Sequence, residues 1–451
     1  MEDILECCCG LDVHKESIVA CLLKGPLEAK AKPQREIGEF GTLSKDLNDL
    51  QNWLEAEECL HVAMESTGIY WQPVYSVLEH AFCDERHLLV VNARHMKQVP
   101  GRKTDMRDAE WIATLLRAGL LKGSFVPKQN IRDLRQFTRY RKAVVRDITS
   151  QKNRIEKLLQ ASGFRLSSFL ADIFSVSGMN IMQVLVKVGS ISEQSLDRCL
   201  KGRARLKTAE ILSNLNGTLS LPQRQLLNMQ LAHLVDLQDH LKEVEQQIRN
   251  GFLDFEGSID LLDSIPGIDK TAAYAILAEI GQNMSAFPTV QHICSWAGLA
   301  PGCHKSAGKQ KKQRVMHGNN YLKTMLCEVA WVIARQRNQY WSNWYWRLKQ
   351  RTDAKRAIVA LARKILVIIY TMLKTNQLYD ESRFQERKRA SEQRRVSRMV
   401  HELTRLGYAV TPASLFIFVA RCGIDLVKKL NFHGVTGANG FEPVERGNSP
   451  S

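Results

Sequence analysis

The order of strand and helix signals in the first hundred residues leaves few folds open to this chain. The run ILECCCGLDV, residues 4–13, reads as a buried strand. After the polar turn His14-Lys15-Glu16, SIVACLL reads as its hairpin partner. A third strand is expected around residues 35–40. SKDLNDLQNWLEAEE then places Leu43, Leu47, Leu50 and Leu54 at three- and four-residue steps, the period of a helix, with Ser44 as the cap candidate. A strand (LHVAMES), a helix (WQPVYSVLEHAF) and a strand (RHLLVVN) follow. Another helix is expected over about 105–118. A hairpin meander followed by strand–helix alternation predicts an α/β sandwich around a mixed sheet.

Beyond residue 126 the period changes to that of long helices. Ile131, Leu134, Val145, Ile148, Ile155 and Leu159 fit a heptad seam, with Thr138, Arg141 and Lys152 as polar breaks. A second such helix carries Leu227, Leu231, Leu234, Leu237, Leu241, Val244 and Ile248. Two long amphipathic helices about sixty residues apart predict an antiparallel arm, a dimerisation seam, or both. Residues 165–220 form a helical insert within it. From residue 261, LLDSIPGIDKTAAYAILAEIG has the form of a helix-hairpin-helix, whose turn would offer backbone N–H groups to a phosphate. The expected units are therefore 1–125, 126–255 and 256–378. A charged helix and tail follow over 379–451.

The composition narrows the partners. The formal net charge is +16, and residues 301–370 alone hold 15 Lys/Arg against 2 Asp/Glu. A concentration this local favours a polyanion, nucleic acid first. The 11 cysteines contain no C-x-x-C pair, which excludes a zinc ribbon and argues for reduced, mostly buried thiols. The N-terminus begins acidic, without the basic region of a signal peptide. ILVIIYTML, the most apolar stretch, is too short to span a bilayer. The expectation is a soluble, cytoplasmic protein with no membrane partner.

Four acidic residues stand where chemistry would need them. Asp12 ends the first apolar strand in GLDVHK, and Glu65 ends another in VAMESTGIY. Asp105 and Asp108, in KTDMRDAEW, stand three residues apart, on one face if the run is helical. Carboxylates at neighbouring strand ends and on a nearby helix can converge at one sheet edge. Two divalent cations held there would suit phosphodiester chemistry. Taken singly, each acid is equally at home as a turn or helix-start residue.

GLDVHK, MESTGIYW and KTDMRDAEWIATLLRAGLL closely resemble the motifs of the insertion sequence 110/1111 family of DEDD transposases. IPGIDKTAAYAILAEIG and WAGLAPGCHKSAGKQKKQRVMHGNNYLKTMLCEVAW continue that resemblance to about residue 375. It implies an α/β ribonuclease-H-like (RuvC-like) N-terminal domain, a long helical coiled-coil arm, and an all-α helix-hairpin-helix-like C-terminal domain. Asp12, Glu65, Asp105 and Asp108 match its acidic tetrad, which implies catalysis with Mg²⁺, two ions in all. Ser306 matches its serine nucleophile, which forms a covalent link to DNA. Lys305, Lys309, Lys311, Lys312 and Arg314 surround that serine as nucleic-acid contacts. Two departures fall in the same stretch, where Ala307-Gly308 replaces a common Gly-Gly pair and His317 a common lysine.

The resemblance further implies donor and target DNA, a noncoding bridge RNA as guide, and a homo-oligomer, dimer or tetramer, in the bacterial nucleoid. Aromatics interleaved with cations in QYWSNWYWRLKQRTDAKR would stack on unpaired bases or fill a helical core. Two other readings stay open. A metal-dependent nuclease resembling a Holliday-junction resolvase would use the tetrad without Ser306, and a non-enzymatic nucleic-acid-binding protein from a decayed element would use neither.

Overall fold

The computed structural model describes residues 4–27, 32–66, 68–81, 87–92, 96, 108–213, 215, 217–301, 305–306, 309–310, 317–336 and 339–407. Its first part is a five-stranded mixed sheet in the order β3-β2-β1-β4-β5. The strands are β1 (Cys7–Val13), β2 (Ser17–Lys24), β3 (Gln34–Gly41), β4 (His61–Glu65) and β5 (His87–Val91). The hairpin expectation holds: β1 and β2 are antiparallel with Cys7 opposite Lys24, and β3 pairs antiparallel on the outer side of β2. β1, β4 and β5 are parallel. The central strands read CCCGLDV and HVAME because both faces are covered. QREIGEFG is charged and mostly exposed, as suits an edge.

Helices α1 (Ser44–Ala56) and α2 (Trp71–Ala81) cover one face. Leu47, Leu50, Leu54, Val74 and Leu78 pack there against Cys9, Leu11, Val62 and Met64. Ser44 is the first helical residue rather than the cap, and Leu43 at the cap position is 74% exposed. The Leu43 N–H is instead held by the Asp46 carboxylate at 3.2 Å. Helix α3 (Asp108–Arg117) covers the other face, with Trp111, Ile112, Ala113 and Leu116 against Cys8, Cys21 and Ala63.

The remainder is helical. Helices α4 (Gln129–Ala161) and α8 (Leu221–Gly251) pair along their length. Arg141 bonds Glu245, and Gln151 bonds the backbone of Gln230, so the two run antiparallel. The seam slips by one residue in mid-arm: Val144 and Gln151 are buried where the heptad pointed to Val145 and Lys152, and Val145 is exposed. Leu237 and Leu241 on the facing helix are only half-buried. Ser220 caps α8 through a box with Gln223.

Between the two long helices lie α5 (Val176–Val188), α6 (Glu193–Cys199) and α7 (Thr208–Ser213). They build a separate small core on Ile155, Leu159, Leu227 and Leu231.

The largest core gathers α9 (Glu256–Asp263), α10 (Lys270–Ile280), α11 (Val290–Trp296), α12 (Asn320–Arg335), α13 (Tyr340–Lys349) and α14 (Ala354–Thr375). The apolar ILVIIYTML run lies in α14, whose Ile365, Leu366, Ile369 and Tyr370 are buried in this core. Among the described residues no helix is long and apolar enough to cross a membrane. Residues 380–451 form a second unit. Its described part is helix α15 (Ser382–Arg405), and the tail expected over 411–451 lies outside the described residues.

Candidate functional site

Strand register sets the first two carboxylates side by side. Leu11 of β1 stands opposite Met64 of β4, so Asp12 and Glu65 are the next residues on parallel neighbours and reach the same sheet edge. Side chains alternate along a strand. Leu11 and Met64 face α1 and α2, so Asp12 and Glu65 fall on the face that α3 covers. Asp108 is the first residue of α3. Three of the four acids picked from the sequence therefore meet at one edge, and Asp105 lies outside the described residues.

Two devices hold α3 in that place. At its N-terminal end the helix lies directly on β1, where Gly10 has no side chain. A Cβ there would stand 2.3 Å from the Ala109 carbonyl oxygen and 2.4 Å from the Ala113 nitrogen. At the C-terminal end the Arg117 guanidinium is 1% exposed. It donates at 3.0 Å to the backbone carbonyls of Glu6, Gly25 and Pro26, pinning the helix to the start of β1 and the end of β2. Gly10→Ala is expected to push the first turn of α3, and Asp108 with it, off the sheet. Melting should report a loss of about 2 kcal/mol or more. A variant that melts like the wild type would show that this contact does not hold the helix against the strand.

The Asp12 side chain is 22% exposed. Burial holds its carboxyl above the ordinary range. The negative charges of Asp108 and Glu65 push the same way, and His14 opposes them, its Nε2 lying 3.2 Å from Asp12 Oδ2. His14, just past the end of β1, is a site residue that the sequence reading took only as part of the turn. Among the described residues no three His, Cys, Asp or Glu side chains are gathered closely enough to hold a metal. The three acids feel one another's charge without forming a closed ligand cage. All their donors are hard carboxylate oxygens, which suits a magnesium-like cation, and such a cation would relieve the repulsion that raises Asp12.

Ser306 stands on a short hairpin rather than in a plain loop. Lys305–Ser306 pairs antiparallel with Lys309–Gln310, placing Ser306 opposite Lys309. The side chains of Lys305, Ser306 and Lys309, and the whole of Lys311, Lys312 and Arg314, lie outside the described residues.

The segment resumes at a firm anchor. A Cβ on Gly318 would meet the Gly298 nitrogen at 2.2 Å, and Asn319 caps α12 by accepting from the Leu322 N–H. The Asn319 amide also donates to Glu279 Oε2 at 2.6 Å. Glu279, 2% exposed, is a second residue the sequence reading missed. It takes Arg139 in a two-pronged pair at 2.8 and 2.9 Å and Arg135 at 3.2 Å. One buried carboxylate thus joins the arm helix α4, helix α10 and the far end of the serine segment. Its signal was a lone acid among the apolar positions of YAILAEIG.

The Pro-Gly turn before α10 differs from the phosphate-binding expectation. Gly267 adopts φ +90°, and a Cβ there would stand 2.7 Å from Ile333, so the turn is packed against α12. The Asp269 carboxylate caps α10, accepting from the Ala272 N–H at 2.8 Å, which satisfies an amide that a phosphate would otherwise take. The aromatic cluster divides. Tyr345 is buried, and Trp341 and Trp344 pack against the core. Trp346 is 50% exposed with Lys349 4.4 Å above its ring.

Two family models match the chain. One, described as a transposase model with the IS110 and DEDD labels, covers residues 9–163. The other, the transposase IS116/IS110/IS902 family, covers residues 259–347. Among curated proteins, the pilin gene-inverting protein of Moraxella bovis is 32% identical over 27% of this chain and 38% of its own length. A probable family 20 transposase of Pseudomonas aeruginosa is 28% identical over 42% of this chain and 58% of its own. The transposase for insertion sequence element IS1111A of Coxiella burnetii is 24% identical over 64% of this chain and 72% of its own. The chain thus spans between about a third and three quarters of the relatives it matches.

Proposed function

Because the chain belongs to the IS110 family of transposases, we propose that it cuts and rejoins DNA strands at a composite site. The acids of the N-terminal sheet would act there together with Ser306. The observation that carries this reading is the meeting of Asp12, Glu65 and Asp108 at one edge of the sheet. The strand order and the antiparallel-then-parallel pairing support a ribonuclease-H-like N-terminal domain. The helical remainder fits an arm and a C-terminal domain bearing the serine.

Asp12, Glu65 and Asp108, with Asp105, would hold the divalent cation, magnesium by donor type. Bound there, it supplies charge neutralisation at the scissile phosphate and an activated oxygen nucleophile. Asp12 and Glu65 fix the position of that centre because they sit on paired strands, and Asp108 closes it from the helix. The Ser306 hydroxyl attacks phosphorus and gives up its proton, the P–O ester bond to a deoxyribose oxygen breaks with that oxygen taking up a proton, and a phosphoserine link to DNA forms. The cations of the 301–370 segment bind the phosphate backbone of DNA and of a noncoding guide RNA. The serine and the acids come together in a homo-oligomer.

A strand-exchange assay tests this. Ser306→Ala should lower rejoining by about a thousandfold or more while leaving divalent-cation binding intact. Full exchange by Ser306→Ala, together with loss in Asp12→Asn, would assign the chain to resolvase-like cleavage by the acids alone.

A further inference from the structure

At the end of β1 opposite to Asp12, the strand begins with a cysteine. Packing sorts the five described thiols of the sheet region. Cys7, Cys9 and Cys59 lie on the face of α1 and α2, and Cys8 and Cys21 on the face of α3. Carried two residues back, the parallel register that sets Cys9 opposite Val62 brings Cys7 alongside the stretch just before β4, where Cys59 lies. Both thiols are free. Cys7 Sγ donates to the Glu57 carbonyl at 3.8 Å, two residues before Cys59, and Cys59 Sγ to the His61 carbonyl at 3.4 Å. Cys59 is 1% exposed. Cys7 is half-buried and lines a cleft of about 640 Å³ with Ile4, Glu6, Lys24, Glu57 and His61. Small solutes therefore reach Cys7 and not its partner.

We infer that Cys7 and Cys59 form a two-thiol site for hydroperoxides, Cys7 reacting first and Cys59 resolving it to a disulfide. The surroundings favour that order. Beside Cys59 the Cys7 thiol is lowered to about 7, burial and Glu57 oppose this, and the Lys24 and Arg117 cations assist. Cys59 is held well above the ordinary thiol range, first by its neighbour Cys7 and then by burial. The Cys7 thiolate attacks one peroxide oxygen, the O–O bond breaks, and hydroxide leaves with a sulfenic acid formed. With the Cys7 charge gone, Cys59 loses its proton and attacks the Cys7 sulfur. The S–O bond breaks, so two thiols and one hydrogen peroxide give one disulfide and two waters. The product would tie together the entry ends of the two strands whose far ends carry Asp12 and Glu65.

The full chain treated with stoichiometric hydrogen peroxide tests this by peptide mass mapping. A Cys7–Cys59 cross-linked peptide, two hydrogens lighter and restored by a reductant, is the expected result. In Cys59→Ser, Cys7 should be trapped as a sulfenic acid by a 1,3-diketone. The midpoint of its alkylation against pH should rise from near neutrality towards the ordinary thiol value of about 8.5. Oxidation first at another cysteine, or Cys7 passing to sulfinic acid in the wild type without a disulfide, would overturn the inference. So would an alkylation midpoint unchanged in Cys59→Ser.

Discussion

Asp12→Asn is expected to melt about 2 °C above the wild type in the absence of divalent cations, and to lose strand cleavage by about a thousandfold. Most substitutions that inactivate a protein also weaken it, and here the two effects should separate. The folded chain holds the Asp12 carboxyl above its ordinary range, first by burial and then by the charges of Asp108 and Glu65. A carboxyl with a raised folded value binds its proton more tightly in the fold than in the open chain. Its ionisation therefore subtracts stability. The penalty is absent below about pH 4, where both states are protonated. It grows as pH rises through the window up to the raised folded value, and is constant above. The advantage of the asparagine variant should follow that window, present at neutral pH and gone in acid. Magnesium or manganese should raise the melting temperature of the wild type and leave the variant unmoved. A variant that melts lower than the wild type at neutral pH would make Asp12 a structural residue.

Glu279→Ala should produce a large loss of stability, about 3–5 kcal/mol, or roughly 5 °C in melting temperature. The deleted carboxylate leaves the Arg139 and Arg135 guanidiniums facing a buried space without their counter-charge. Burial already lowers Arg135 to about 10, and Glu279 is the group that opposes it. The same deletion frees the Asn319 amide at the far end of the serine segment. Strand exchange should thus fall at temperatures well below the melting point. Glu279→Gln keeps the shape without the charge and should lie between. Equal melting of wild type and Glu279→Ala would show that the three-way junction of α4, α10 and α12 rests on apolar packing alone.

The sheet was legible because its signals are local. A strand covered on both faces is continuously apolar, a hairpin needs only a short polar turn, and LHVAMES and RHLLVVN each obey one period. The acids Asp12 and Glu65 were legible for the same reason, since a charged residue closing an apolar strand is conspicuous. Three features depended on partners far away in sequence. Gly10 is required by the backbone of α3, about a hundred residues on. The mid-arm slip to Val144 and Gln151 depends on how the antiparallel helix lies against α4. Glu279 reads as an ordinary helix acid until Arg135, Arg139 and Asn319 are seen around it. Aromatic residues near cations were ambiguous by nature, since Tyr345 and Trp346 are adjacent in sequence and only the fold buries one and exposes the other.

Diffraction from crystals of the full chain grown with manganese, recorded at the manganese absorption edge, tests the central claim most directly. An anomalous peak within about 2.0–2.4 Å of carboxylate oxygens of Asp12, Glu65 and Asp108 is the predicted result, with no such peak in Asp12→Asn crystals grown alike. A peak placed elsewhere, or none between the strand ends and the first turn of α3, would contradict it.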